Sequence, residues 1–190
     1  MNKDILLCGV GGQGTVLAAK ILAAAAMNAG EEVHSAETIG MAQRGGPVTS
    51  HVRIGESYSP LIPEGKADIL MAFEPAEAVR NLHYLNRDGI VIVNKAPVKP
   101  ITESLHDTGY DGSEMISYLK GKCRCVVMDS EKLASAKFLN IAMLGIAAGT
   151  GRLGFTKEQL LVEIEKRVPA RFLEANIEAF EKGFETGEEK

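Results

Sequence analysis

The sequence has too few cysteines for a framework of disulfides or for an iron–sulfur cluster of its own. It contains three in 190 residues, fewer than the set of thiolates that such a cluster takes. Cys123 and Cys125 form a C-x-C pair, but no second ligand pair has the spacing of a zinc site. We therefore interpret the cysteines as structural residues and predict no metal site in this chain.

The sequence also lacks an excess of basic residues and a long apolar run. Its formal net charge is −4, and its lysines and arginines form no stripe or arm that would bind nucleic acid. The most apolar window, residues 16–27, contains Lys20 and is too short to cross a bilayer. The first residues include Asp4 and only a short apolar run, unlike a secretory signal. We expect a cytoplasmic protein with no nucleic-acid partner and no membrane partner.

The composition is that of an ordinary globular domain. Hydrophobic residues make up 45% of the chain and charged residues 24%, and the length supports one sizeable core. No repeat, low-complexity run or linker divides the chain. We predict a single domain over residues 1–190. Its expected fold is α/β: three layers, Rossmann-like, a mostly parallel sheet with an antiparallel edge, and a helical C-terminal flank.

Hydrophobic periodicity predicts alternating strands and helices along the chain. A buried parallel strand is predicted at residues 4–9, further strands at 32–35, 67–73, 89–94 and 125–129, and a half-buried antiparallel strand at 48–54. Helices are predicted at residues 15–29, 74–88, 113–122 and 137–149, and two amphipathic helices follow in the tail. The helix at 137–149 is rich in small residues, which predicts close packing on the sheet or on a partner.

A glycine-rich turn joins the first predicted strand to the first predicted helix. Gly9, Gly11 and Gly14 follow the pattern G-x-G-x-x-G of a dinucleotide-binding turn. Backbone amides at the start of a helix bind phosphate, helped by the helix dipole. Glu37, close after the second predicted strand, has an acceptable place for the acidic residue that binds a ribose. A tight strand-to-helix turn with nothing bound explains the same spacing equally well.

A second glycine-rich loop follows the second predicted strand. Gln43, Arg44, Gly45 and Gly46 place a guanidinium beside a flexible backbone, which suits a carboxylate or a phosphate. In a sheet of this type both glycine loops lie at the carboxyl ends of strands, where ligands bind. A subunit contact or a surface ion pair would also explain Arg44.

No residues of the sequence form a recognisable catalytic set. The histidines are separated in sequence, and none has the spacing of a metal-binding pair. Ser50 and His51 are neighbours on a predicted strand, so their side chains point to opposite faces and cannot act together. Glu37, Glu74 and Asp129 follow strands, where carboxylates often serve only as caps. The sequence therefore predicts a binding surface without a reaction centre.

Three segments together resemble one known family. They are CGVGGQG at the first turn, ETIGMAQRGGPVTSHVRIG after the second strand and ADILMAFEPAEAVR further on. These segments are similar to the small, gamma-type subunit of the 2-oxoacid:ferredoxin oxidoreductases, and within that family to its indolepyruvate branch. The later NIAMLGIAAG and VPARFLEANIEAFEKGFE also match, so the resemblance covers nearly the whole chain.

The resemblance implies a multi-subunit oxidoreductase of anaerobic metabolism that decarboxylates an arylpyruvate oxidatively. Coenzyme A receives the acyl group, and ferredoxin takes the electrons. A large alpha-type subunit carries the thiamine diphosphate, the Mg²⁺ and the [4Fe–4S] clusters. This chain would bind none of these alone and would be an accessory subunit that shapes the active-site entrance or a shared coenzyme A surface.

The resemblance also assigns candidate site residues by position. None is catalytic, and all belong to a ligand or interface surface formed by the two glycine loops. They are Gly11, Gly12, Gln13 and Gly14 in the first turn, and Gln43, Arg44, Gly45 and Gly46 in the second loop. Two other functions stay open: a self-sufficient NAD(P)- or FAD-binding Rossmann oxidoreductase, and a non-catalytic interaction module.

Overall fold

The computed structural model describes residues 1–39, 46–98 and 109–188, and within them one mixed sheet forms the centre of the protein. Its strands are β1 (Lys3–Val10), β2 (Val33–Ile39), β3 (Pro47–Ile54), β4 (Ala67–Ala72), β5 (Leu85–Asn94) and β6 (Arg124–Met128). They lie in the order β2-β3-β1-β4-β5-β6. Strands β1, β4, β5 and β6 are parallel, whereas β3 is antiparallel to both of its neighbours.

Helices cover both faces of this sheet. They are α1 (Thr15–Asn28), α2 (Pro75–Arg80), α3 (Ser113–Lys122), α4 (Leu139–Gly149), α5 (Lys157–Arg167) and α6 (Ala170–Glu188). Alternation along β1 divides the core: Ile5 and Leu7 contribute to the cluster that includes α1, α4, α5 and α6. Leu6 and Cys8 point the other way, to the side of α2 and α3. No helix among the described residues is both long and apolar enough to cross a bilayer.

The predicted fold class is confirmed. The sheet is mostly parallel, its antiparallel pairing lies at one edge, and α5 and α6 form the C-terminal flank. The strand predicted at residues 48–54 is indeed antiparallel, but it is the second strand from the edge, because β2 pairs outside it. Strands β1 and β2 therefore run in the same direction without being neighbours.

The prediction of one long helix over residues 74–88 is wrong. Helix α2 ends at Arg80, and β5 has begun at Leu85. The carbonyl of Glu77 accepts hydrogen bonds from both the backbone N–H and the side-chain amide of Asn81, at 3.1 Å and 2.9 Å, where the helix ends. Leu85 then pairs with Ala67 of β4, so the polar residues after it belong to the exposed start of a strand.

Helices α4 and α6 touch through their backbones. Both carry glycines four positions apart, so that each pair lies on one helix face. A Cβ atom on Gly145 would overlap the carbonyl oxygen of Phe180, and one on Gly183 would overlap that of Ala142. Gly149 and Gly187 make similar contacts. The small-residue helix predicted from the sequence thus packs on α6 and the sheet within the same chain.

We predict that Gly183→Ala lowers the free energy of unfolding by about 1–3 kcal/mol, because the added methyl group forces the two helices apart. Gly121 in α3 is the matched control, since a Cβ there meets nothing within 4 Å. Gly121→Ala is expected to raise stability, by up to about 1 kcal/mol, through helix propensity alone. Urea denaturation measures both changes. Equal effects of the two substitutions would contradict the close helix contact.

Candidate functional site

The first glycine turn connects the end of β1 to the start of α1. Gly12 and Gly14 have φ angles of 99° and 79°, a left-handed backbone that favours glycine. Gly14 directly precedes the helix, and no side chain of the described residues caps it. The first amides of α1 are therefore available to a ligand, and the helix dipole favours an anion there.

The end of the second glycine loop lies beside this turn. The Gly11 N–H donates a hydrogen bond of 3.0 Å to the carbonyl oxygen of Gly46. Because β3 is antiparallel to β1, its first residue, Pro47, pairs with the last residue of β1, Val10. The structure thus places Gly46 at the carboxyl edge, next to the first turn. The other three candidates of that loop, Gln43, Arg44 and Gly45, lie outside the described residues.

A cavity of about 550 Å³ opens between the glycine turn and β3. Its walls are the turn itself, the first turns of α1 and the side chain of Val48. Lys20 contributes a cation from α1, and no carboxylate is among the lining residues that the structure describes. This volume is within the range of small-molecule sites. Free amides, one lysine and a helix N-terminus give the cavity the chemistry of an anion-binding site.

Gln13 differs from the other residues of the turn because its amide group already has two backbone partners. Its Oε1 accepts a hydrogen bond of 2.8 Å from the Val10 N–H, and its Nε2 donates one of 2.8 Å to the Phe73 carbonyl. Gln13 therefore ties the end of β1 to the residue that follows β4. We assign it a positioning role in the turn, while direct contact with a ligand stays a prediction.

Gly9 has a packing role that the motif alone did not reveal. A Cβ atom on Gly9 would lie 2.6 Å from the Gln13 Oε1 and 3.0 Å from the Cβ of Phe73. The first glycine of the pattern is thus needed for the inward Gln13 side chain. The spacing G-x-x-x-Q is the sequence signal that indicates this arrangement.

Glu37 does not occupy the position that a dinucleotide site requires. It lies on β2, is exposed, and pairs with Ser50 of β3. Because β3 separates β2 from β1, Glu37 is two strand spacings, roughly 10 Å, from the strand that carries the glycine turn. In a Rossmann site the acidic residue follows the strand next to β1. The geometry therefore does not support a self-sufficient dinucleotide site.

Two carboxylates that follow strands are caps, as the sequence indicated. Glu74 precedes α2 and accepts a hydrogen bond of 2.9 Å from the Glu77 N–H and one of 2.6 Å from the Tyr110 hydroxyl. Burial and the hydrogen bond to Glu74 raise the pKa of Tyr110 far above its usual value. Asp129 accepts from the Glu131 N–H and caps a short 3₁₀ turn. The carboxylates of Glu74 and Asp129 thus serve as caps with hydrogen-bond partners in the fold.

The described histidine and cysteine side chains with perturbed pKa values are also structural. His51 is buried, and its Nδ1 accepts a hydrogen bond of 3.1 Å from the Ile62 N–H. Burial, followed by the charge of Arg53, lowers the pKa of His51, so the ring is neutral at pH 7. Burial raises the pKa of Cys8, and raises that of Cys125 to about 11 with a smaller contribution from Cys123. These thiols are protonated at pH 7 and weak as nucleophiles.

The comparisons with known proteins agree with the sequence resemblance. The family model described as pyruvate ferredoxin/flavodoxin oxidoreductase matches residues 4–186. This chain belongs to that family. It is 36% identical over 194 residues to the indolepyruvate oxidoreductase subunit IorB of Thermococcus kodakarensis, covering 98% of this chain and 96% of the relative.

Solved structures place the chain with other members of the oxidoreductase family. The gamma subunit of a keto/oxoacid ferredoxin oxidoreductase from Geobacter sulfurreducens has a TM-score of 0.74 and 25% identity, covering 99% of both chains. A 2-oxoglutarate:ferredoxin oxidoreductase chain from Magnetococcus marinus shares the fold, with a TM-score of 0.74 and 18% identity. The match covers 100% of this chain and 31% of that chain. The predicted family and the oxidoreductase class are confirmed, and the single domain over residues 1–190 stays a prediction.

We predict that Gln13→Ala lowers the free energy of unfolding by about 1–3 kcal/mol, because two backbone groups lose a hydrogen-bond partner. Hydrogen exchange of the Val10 amide is expected to accelerate in the same variant. Gln159→Ala is the matched control, since Gln159 makes an exposed hydrogen bond in the capping box of α5. Its cost is expected to stay below about 1 kcal/mol. Unchanged Val10 exchange in Gln13→Ala would contradict the bridging role.

Proposed function

We propose that the chain is the accessory subunit of a thiamine-diphosphate-dependent oxidoreductase that acts on indolepyruvate or a similar arylpyruvate and reduces ferredoxin. The observation that supports this substrate class is the 36% identity with the indolepyruvate oxidoreductase subunit over almost the full length of both chains. The chain is inactive alone and works in the cytoplasm as one part of a hetero-oligomer.

The proposed reaction divides between subunits. The 2-oxoacid loses its carboxyl group as CO₂, the remaining acyl carbon is oxidised by two electrons that pass to ferredoxin, and the thiol of coenzyme A receives the acyl group and releases its proton. A large alpha-type subunit supplies the thiamine diphosphate with its Mg²⁺ and the iron–sulfur clusters. The three cysteines of the present sequence are fewer than a cluster of this type takes, which agrees with this division.

The part of this chain in the reaction is a surface for the phosphates of coenzyme A. The 2-oxoglutarate:ferredoxin oxidoreductase of Magnetococcus marinus has been solved with coenzyme A bound. In the present chain the uncapped start of α1, the amides of Gly12 and Gly14, and Lys20 line a cavity that suits a phosphate. Gly11 and Gly46 hold the two loops together through their hydrogen bond, while Gln13 fixes the turn. Gln43, Arg44 and Gly45 complete the surface in this proposal.

The proposal is tested by affinity purification of the chain from its anaerobic source. A brown complex with a large subunit is expected, and it should reduce ferredoxin with indolepyruvate only when coenzyme A is present. The purified chain alone should show no turnover, and pyruvate and 2-oxoglutarate serve as comparison substrates. A colourless chain recovered alone, with bound NAD or FAD at micromolar affinity, would support the self-sufficient oxidoreductase instead. A partner without clusters or thiamine would support an interaction module.

Arg44 provides a second test at the level of one side chain. Arg44→Ala should impair assembly or reduce turnover of the complex by at least roughly tenfold, because a charge-assisted hydrogen bond to an anion is lost. The circular dichroism and melting temperature of the isolated chain should not change. Arg87→Ala is the control, since Arg87 is exposed on β5 and lies outside the proposed surface. Normal activity and assembly in Arg44→Ala would remove the second loop from the site.

A further inference from the structure

Strand β2 forms one end of the sheet in the part of the chain that the structure describes. It pairs with β3 along its whole length in one continuous register. Ser35, Glu37 and Thr38 are exposed, so no helix covers this edge. The sequence of the strand, VHSAETI, contains neither lysine nor proline. A regular, open strand edge of this kind is a template for another strand, and β2 lacks the features that usually prevent such pairing.

The strand at the other end of the sheet, β6, is protected by comparison. It has five residues, whereas β2 has seven. Arg124 at its start is exposed, and Lys120 and Lys122 at the end of α3 come directly before it. A short strand and basic side chains are two of the devices that keep an edge unpaired. Of the two ends of the described sheet, β2 is therefore the one that is suited to pairing.

The pairing of β2 with β3 decides which backbone groups point outwards. The Gly55 N–H donates a hydrogen bond of 2.8 Å to the carbonyl of Glu32, which directly precedes the strand. Because hydrogen-bonded pairs alternate along an antiparallel ladder, every second residue of β2 from His34 onwards also directs its N–H and C=O groups to β3. The residues between them direct these groups to the open edge: Val33, Ser35, Glu37 and Ile39.

We propose that the β2 edges of two copies of this chain pair antiparallel and form one continuous sheet through a dimer. A second copy fits this edge because the strand is self-complementary about its centre. With Ala36 on the two-fold axis, Ser35 of one copy lies opposite Glu37 of the other, and the outward backbone groups of both residues meet.

Charge favours this register over the neighbouring ones that the outward groups allow. A register centred on Glu37 would place two carboxylates directly opposite each other, which is destabilising. A register centred on Ser35 would place Glu37 opposite Val33, which has no side-chain donor. When Ala36 is the centre, each Glu37 carboxylate lies opposite a serine hydroxyl that donates to it. The small side chain of Ala36 also leaves room on the axis.

The helices over the sheet leave space for this pairing. Helix α1 packs chiefly on β3, one strand inside the edge. Residues that lie opposite each other in a sheet share a face, so the two α1 helices of the dimer lie on the same face. The two β3 strands would be three strand spacings apart, roughly 14 Å. Packed helix axes are about 8–10 Å apart, so the two helices do not overlap.

The dimer contact is separate from the ligand surface of the proposed function. The first cavity, beside β3, has no described lining residue in β2. The same is true of a second cavity of about 460 Å³, which shares Gly12 and Gly14 with the first. The inference therefore does not rest on the proposed function, and either can fail without the other.

Analytical ultracentrifugation of the full chain at increasing concentration tests for the dimer. A Kd of about 1–100 μM is expected at low salt, because two short strand edges bury less surface than a standard interface. A chain that stays monomeric up to about 500 μM would overturn the inference, since this is well above the expected Kd. Association beyond the dimer would also overturn it, because pairing through a two-fold axis uses up both edges.

Opposite charges at Ser35 test the register. Ser35→Lys places an ammonium group opposite Glu37 of the second copy and should tighten the dimer roughly fivefold, whereas Ser35→Glu should weaken it by a similar factor. Ser117→Lys and Ser117→Glu are the matched controls, because Ser117 is exposed on α3, beside the other end of the sheet. Equal effects at the two positions, or a weaker dimer in Ser35→Lys, would overturn the register.

Hydrogen exchange of the backbone amides locates the contact. The outward amides of Ser35 and Glu37 should exchange rapidly in dilute solution and slowly at concentrations above the Kd. The amides of His34 and Ala36, which donate to β3, should be protected at both concentrations. Dimerisation without new protection at Ser35 and Glu37 would place the interface elsewhere and overturn the inference. Protection that appears only after a different subunit binds would assign the edge to that subunit and would also overturn it.

Discussion

The side-chain amide of Gln13 joins two strands at the point where the chain turns into α1. Its hydrogen bonds to the Val10 N–H and the Phe73 carbonyl fix the turn against both β1 and β4. Because the glutamine folds inward, Gly9 has no room for a side chain. The backbone then passes through the left-handed conformations of Gly12 and Gly14, and the start of α1 is left open to solvent. Both cavities border this one turn.

The position of β3 decides what the turn can bind. In a Rossmann fold the strand beside β1 carries the acidic residue that binds the ribose. Here the antiparallel β3 takes that place, and Gly46, just before it, lies at the carboxyl edge of the sheet beside the turn. The dinucleotide pattern is thus separated from its usual acidic partner and is joined to a second glycine loop. Such an arrangement suits an anion that is shared with another subunit.

Local periodicity made most of the strands readable from the sequence. The apolar runs of β1, β4, β5 and β6 and the capping box of α5 are signals carried by neighbouring residues. The helix predicted at residues 74–88 failed because Asn81 and the pairing of Leu85 with Ala67 end it, and that pairing is long-range. The sequence also did not predict that β2 pairs outside β3, because the position of a strand in the sheet depends on long-range pairing as well.

The candidate site was readable in part. The glycine pattern placed the turn at the start of α1, but it did not reveal that the Gln13 amide is used for the fold. The buried Asn94 Oδ1, which has no hydrogen-bond partner among the described residues, had no sequence signal, because the asparagine that ends β5 becomes unpaired only through its surroundings in the fold. In the same way, the contact of Gly145 with α6 depends on residues almost forty positions away.

The packing of α4 also limits where a partner subunit can bind. A helix of small residues would suit a subunit interface, but α4 is almost completely buried between the sheet and α6. The carboxyl edge is different, because two exposed residues lie there: Gly12, which lines both cavities, and Pro47, which precedes Val48 of the first cavity. A partner that contacts this edge would also cover the proposed ligand surface. In the proposed function, the chain supplies one wall of a site that a partner subunit completes.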